Sequence, residues 1–154
     1  MGTVKESVEV AVPLRAAYNQ WTQFEEFPSF MEGVERVVQL DERHTHWVTR
    51  IGGVQREFDA EIFDQLPDQR VAWRTTGGEV QQQGVVTFDA VAPSRTRVHL
   101  TLKIQPEGAA EKAADLLGIL SRQARGDLQR FKTFIEKRGT ETGQWRGRIT
   151  PGDT

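Results

Sequence analysis

"HTHWVTRIGGVQREFDAEIF", residues 44–63, sets the architecture. Two runs of alternating apolar and polar residues flank Gly52-Gly53, the pattern of a β-hairpin with a two-residue turn. That turn makes Ile51 and Val54 partners, and the register then pairs Thr49 with Arg56 and Trp47 with Phe58. Trp47, Ile51, Val54, Phe58, Ala60 and Ile62 fall on one face. His46, Arg50, Asp59 and Glu61 fall on the other. A sheet with one apolar face needs something to bury it.

The strands on either side extend this pattern. Turn signals "LPDQ", "TGGE" and "APSR" punctuate the chain up to Ile104, so the whole of 34–104 reads as antiparallel hairpins. A two-residue loop at Gly77-Gly78 predicts the pairs Thr75 with Val80, Trp73 with Gln82 and Val71 with Gly84, with Val71, Trp73, Val80, Val86 and Phe88 facing in. Phe88 must pair with an even-numbered residue, Val98 or Leu100, which requires an odd loop around Pro93-Ser94. Val98, Leu100, Leu102 and Ile104 then face in as well. Upstream, Val4, Val8, Val10 and Val12 share one parity and predict a first strand over 3–12. Pro13 suits a helix start, and Leu14, Ala17, Tyr18 and Trp21 form a helical stripe.

The apolar face finds its cover in "GAAEKAADLLGILSRQARGDLQRFKTFIEKRG", 108–139. Leu116, Leu117, Leu120, Ala124, Leu128, Phe131 and Ile135 make one stripe of a long helix that Gly139 ends. The expectation is an α+β fold: a curved antiparallel sheet of six to seven strands around one long C-terminal helix, with two short helices after the first strand. Residues 1–139 form one domain on this reading, and the polar, Pro/Gly-punctuated 140–154 a flexible tail with Trp145 as its one anchor. The segment "QFEEFPSFM", 23–31, reads as a lid on the sheet–helix mouth. Phe24, Phe27, Phe30 and Met31 cap it, and Pro28 marks the bend between two short turns.

Bulk properties exclude several functions. The chain has 154 residues, a formal net charge of −2 and no cysteine. That charge gives no footprint for nucleic acid, and the missing thiols exclude disulfides and thiolate metal sites. "MGTVKESVEV" lacks a signal-peptide core and no window approaches a membrane span, so a soluble, cytoplasmic protein is expected. Of the three histidines, His46 and His99 fall on the outward face and His44 reads as a turn residue, without metal-ligand spacing. No nucleophile elbow or phosphate loop is present. On the long helix, Arg122, Arg125, Gln129, Lys132 and Glu136 share the outer face. This reads as a solvated surface, with weak peripheral contact to an anionic membrane as the alternative.

"VPLRAAYNQWTQFEEFPSFMEGVERV" is similar to the N-terminal signature of the polyketide cyclase/dehydrase and lipid-transport family, within the START-like (SRPBCC) superfamily and its helix-grip fold. The resemblance continues through "HTHWVTRIGGVQREFDAEIFDQLPDQRVAWRTTGG", "GVVTFDAV" and "DLQRFKTFIEKRG", and covers residues 4–139. It implies a deep cavity between sheet and long helix, often holding a lipophilic molecule; no cofactor is expected.

The inward face supplies the candidate ligand-binding residues: Phe24, Phe27, Phe30, Met31, Trp47, Thr49, Arg56, Phe58, Trp73, Gln82, Phe88, Leu100, Leu116, Leu120 and Phe131. Such a mostly apolar lining with few polar groups suits a lipid, quinone or polyketide-like molecule. Arg56 and Thr75, near hairpin ends, are expected to reach water, whereas Thr49 and Gln82 are the interior polar groups. No catalytic or metal residue is assigned, because no inward acid/base pair emerges. Binding or transport of a small lipophilic molecule is the leading expectation. A cyclase, aromatase or dehydrase is the second, and a protein-interaction or stress-related module the third.

Overall fold

The computed structural model describes residues 2–51, 53–78, 81–104 and 110–151, with the side chains of 110–116 excepted. The elements run β1 (Gly2–Val10), α1 (Leu14–Trp21), a 3₁₀ helix (Phe24–Ser29), β2 (Val34–Gln39), β3 (His44–Ile51), β4 (Val54–Leu66), β5 (Arg70–Gly78), β6 (Gln82–Ala92), β7 (Arg95–Ile104) and α2 (Ala110–Arg138). One seven-stranded sheet has the order β1-β7-β6-β5-β4-β3-β2, and every pair in it is antiparallel. The first and last segments of the sheet's chain path therefore meet: β1 completes the sheet beside β7 rather than beside β2.

The β3–β4 register is the one the Gly52-Gly53 turn predicts, with Ile51 opposite Val54, Thr49 opposite Arg56 and Trp47 opposite Phe58. Gly52 itself lies outside the described residues. The β5–β6 hairpin differs. Val71 pairs with Val86 and Trp73 with Gly84, a slip of two residues from the predicted pairs. The strands stop at Gly78 and Gln82, so the connection is longer than a two-residue turn. A slip of two preserves side-chain parity, and the faces are unaffected. Val80 lies outside the described residues. Phe88 pairs with Val98, and the odd count arises from a register shift between Ala90 and Ala92 beside the Pro93-Ser94 turn.

Each element buries the face its sequence marks. Val4, Val8, Val10 and Val12 are buried, as are Ala17, Tyr18 and Trp21 of α1. On α2, Ala124, Leu128, Phe131 and Ile135 are buried against the sheet. Gly139 takes a φ of 76°, left-handed geometry that favours glycine, and its amide closes the helix on the Ile135 carbonyl. The exposed edge of β1 is covered by the outer face of α2. Arg125 Nε donates to Glu6 Oε1 at 2.8 Å, Lys132 Nζ to the Glu9 carbonyl at 3.0 Å, and the Ala11 amide to Glu136 at 2.7 Å. Part of the helix's basic face thus secures a sheet edge.

The interior divides in two. Around the C-terminal half of α2, rings pack without a gap: Trp21 meets Phe131 at 5.1 Å and Phe88 at 6.4 Å, and Phe30 meets Phe131 at 5.3 Å. Under the middle of α2, from Leu120 to Leu128, the sheet and helix leave space between them.

The segment after α2 departs from the flexible tail expected. Residues 140–151 lie along α1 and the end of β4. Gln20 exchanges two hydrogen bonds with Thr142, at 3.0 and 2.8 Å. Asn19 donates to Glu141 and Gln144 and accepts from Arg146. Arg146 also pairs with Asp68 at 2.8 Å and lies over the Tyr18 ring. Ile149 forms a two-way backbone bridge with Gln65 and is 3% exposed. Trp145, the expected anchor, is half-buried, and its amide donates to Thr22 Oγ1 at 3.0 Å.

Candidate functional site

The space beneath the middle of α2 is a cavity of about 570 Å³, a volume typical of small-molecule sites. Its sheet wall comes from strand ends nearest the two Gly-Gly turns: Trp47, Thr49 and Ile51 on β3, Val54, Arg56 and Phe58 on β4, Trp73 on β5, Gln82 on β6, and Leu100, Leu102 and Ile104 on β7. Its helix wall is Leu120, Ala124, Asp127 and Leu128. Phe27, Met31 and Val34 close one side, and Trp21 separates the cavity from the packed aromatic core. The exposed lining residues Val54, Arg56 and Gln81 mark its mouth at the β3–β4 and β5–β6 turns.

Local interactions fix the aromatic wall. Trp47 Nε1 donates to Thr45 Oγ1 at 2.7 Å, which orients the indole. Phe58 stacks on one side of it and Phe27 leans against it at 5.7 Å. Trp73 lies across its cross-strand partner Gly84, where any Cβ would overlap the indole ring. A bare backbone is required for that ring to lie flat on the sheet.

Ten of the fifteen sequence candidates line this space: Phe27, Met31, Trp47, Thr49, Arg56, Phe58, Trp73, Gln82, Leu100 and Leu120. Phe24, Phe30, Phe88 and Phe131 do not; all four are buried in the core, the last three against Trp21 and Phe24 against Phe27. Leu116 has its side chain outside the described residues. The 23–31 segment is accordingly a wall rather than a cap. Phe24, Phe27 and Phe30 are each under 5% exposed, and the Met31 amide closes onto the Phe27 carbonyl at 2.7 Å. Arg56 reaches solvent, as expected, and Thr75 Oγ1 accepts from the Gln82 amide at 3.2 Å.

Two buried polar side chains escape a reading by strand parity. Gln65 is 1% exposed and donates to Tyr18 Oη at 2.9 Å. The register shift between Ile62 and Asp64 turns it inward. Asp127 is the second, and it lines the cavity. Its Oδ1 accepts from the Glu32 amide, Gln123 Nε2 and Arg130 Nη2. Burial pushes its carboxyl up from the ordinary aspartate range, against the downward pull of the Arg130 guanidinium. A helical count finds it: Asp127 is three residues after Ala124 and four before Phe131, on the inner stripe.

The outer face of the sheet holds the histidines. His46 Nδ1 is 2.7 Å from Asp59 and His99 Nε2 is 3.2 Å from Asp89. The hydrogen bond to Asp59 holds the His46 imidazole above its usual value. His44, expected in a turn, begins β3 and sits 2.9 Å from Asp41. Among the described residues no group of these side chains has metal-holding geometry, and no helix is long and apolar enough to cross a membrane.

Residues 10–133 match the family described as polyketide cyclase/dehydrase and lipid transport. A protein of Streptomyces lincolnensis, described as uncharacterized and of 17.2 kDa, is 56% identical over 149 residues, covering 97% of this chain and 99% of its own. Among solved structures, the Zhui aromatase/cyclase from Streptomyces sp. R1128 superposes with a TM-score of 0.78 at 16% identity, over 94% of this chain and 99% of that one. A START superfamily protein from Mycobacterium smegmatis superposes with 0.67 at 15% identity, over 83% and 97%. These two likenesses speak to the fold. With the family match, the curled seven-stranded sheet and its long helix make this chain a member of the polyketide cyclase/dehydrase and lipid-transport family, with the START-like helix-grip fold.

Proposed function

We propose that the protein binds or carries a small lipophilic molecule in the cavity between sheet and α2. The reading rests on one observation: a space of about 570 Å³ is walled by Trp47, Phe58, Trp73, Leu100, Leu102, Ile104 and Leu120, with few polar groups among its lining. Filling it would remove apolar surface from water at roughly 25 cal/mol per Å². A bound molecule would stabilise the fold by mass action. The test is a thermal-shift series with lipids, quinones and polyphenols. An upward shift that grows with concentration supports the reading, and a flat response across all three classes counts against it.

A second reading, a cyclase, aromatase or dehydrase, is favoured by a specific observation: a titratable carboxylate, Asp127, lies on the cavity wall, and Arg56 stands at the mouth. On this reading the cavity folds a reactive polyketide, and Arg56, Thr49 or Gln82 steers it. Turnover assays with Arg56→Ala and Gln82→Ala test these roles, and rates unchanged in both would remove them.

A further inference from the structure

Asp127 is 9% exposed, yet its carboxylate is only half engaged. The hydrogen bonds from the Glu32 amide at 3.2 Å, from Gln123 Nε2 at 3.1 Å and from Arg130 Nη2 all arrive at one oxygen, Oδ1. Among the described residues nothing donates to Oδ2. Oδ2 keeps accessible surface, so water can serve it while the cavity is open, and a ligand that displaced that water would have to supply a donor in its place. Here the residue lines the cavity, so a molecule in the cavity is the available donor.

The surroundings hold Asp127 rigidly for this purpose. Arg130, which pairs with its Oδ1, also donates from Nε to the Phe30 carbonyl at 3.2 Å and approaches Glu32 within 3.2 Å. Gly126 leaves room for that guanidinium, since a Cβ there would lie 3.1 Å from both terminal nitrogens. Gly33 similarly lets the start of β2 approach Gln123. The carboxylate is thus anchored on one oxygen and presents the other.

We propose that Asp127 Oδ2 accepts a hydrogen bond from a hydroxyl of the cavity's ligand, so that the ligand class is a lipophile bearing an alcohol or phenol. This rests on the lipophile-binding reading and narrows it. A neutral donor fits better than an ammonium. Arg130 already pairs with Asp127, though it shares its charge with the exposed Glu32, so a cation would lose its hydration for a carboxylate that is already partly neutralised. A hydroxyl gains a charge-assisted bond at far smaller desolvation.

The test compares 1-naphthol with 1-methoxynaphthalene by calorimetric titration at neutral pH. The two share an aromatic body, and only the first can donate. The wild-type protein is expected to bind the naphthol about tenfold more tightly. In Asp127→Asn the amide oxygen can keep the three donors, leaving an NH₂ group to face the cavity, and the preference is expected to collapse. Circular dichroism verifies the fold of the variant. Equal binding of both probes by the wild type overturns the inference while leaving the lipophile reading intact. A preference that survives in folded Asp127→Asn, or that vanishes instead in Thr49→Val, also overturns it. Should Asp127→Asn not fold, the wild-type ratio together with Thr49→Val decides. Binding of neither probe overturns the inference together with the reading beneath it.

Discussion

Trp47 stacks on Phe58 across the β3–β4 ladder, with ring centroids 5.9 Å apart and ring planes 7° from parallel. Both rings line the cavity, and Phe58 is 4% exposed. The pair is the firmest part of the aromatic wall. Phe58→Ala is expected to lower stability by about 3 kcal/mol, the low end for a buried phenylalanine because one flank already faces open space. It is also expected to weaken binding of apolar probes, because Trp47 loses its backing. Denaturant unfolding and probe titration measure the two effects.

Phe27 and Phe30 separate wall from core within one short segment. Phe27 touches Trp21 at 5.5 Å and lines the cavity, whereas Phe30 packs on Phe131 and Phe134 away from it. Each alanine variant is expected to cost about 3–5 kcal/mol. Only Phe27→Ala is expected to change probe affinity as well. A Phe27→Ala protein of nearly wild-type stability but altered uptake would restore the idea of a mobile lid.

The docked C-terminal segment gives a stability test that bypasses the cavity. None of residues 140–151 lines it. Ile149→Ala is expected to cost about 2–4 kcal/mol, as for other buried aliphatic truncations, with probe affinity unchanged. Removing residues 140–154 is expected to lower the melting temperature further, because Asn19 and Gln20 lose their partners. Unchanged melting in both would contradict the docking.

The sheet and its registers were legible because side-chain parity and turn chemistry agree over many residues. The Gly52-Gly53 hairpin is read correctly to the residue. At Gly77-Gly78 the same logic misplaces the pairing by two, since a glycine pair does not fix loop length, but it still assigns the faces correctly. Gln65 escaped because one extra residue after Ile62 inverts the parity of the strand's end. The tail escaped for another reason: its partners Asn19, Gln20 and Gln65 are distant in sequence and leave no periodic trace. Of the site, the aromatic wall follows from the face assignment. Where the cavity stops and solid packing begins does not, because Phe88 and Phe131 share faces with lining residues and differ from them only in position along the sheet and helix.

His46 provides a pH signature on the outer face. Its folded-state value is raised, chiefly by the hydrogen bond to Asp59, so the charged imidazole favours the folded state. That contribution is present below the ordinary histidine value and is lost as pH rises through the raised one. His46→Gln is therefore expected to cost up to about 1 kcal/mol near pH 5.5 and almost nothing near pH 9, because a partly exposed pair is screened by water. Unfolding measured at the two pH values checks this, and an equal loss at both would assign the residue a packing role instead.

The most direct test of the cavity's purpose is the mass of the protein purified without detergent and sprayed under native conditions, before and after incubation with a mixture of fatty acids, quinones and naphthols. A lipophile in the cavity would appear as a discrete added mass of one small molecule, released by organic solvent and reduced in Phe58→Ala. A protein of bare mass before and after incubation would contradict it.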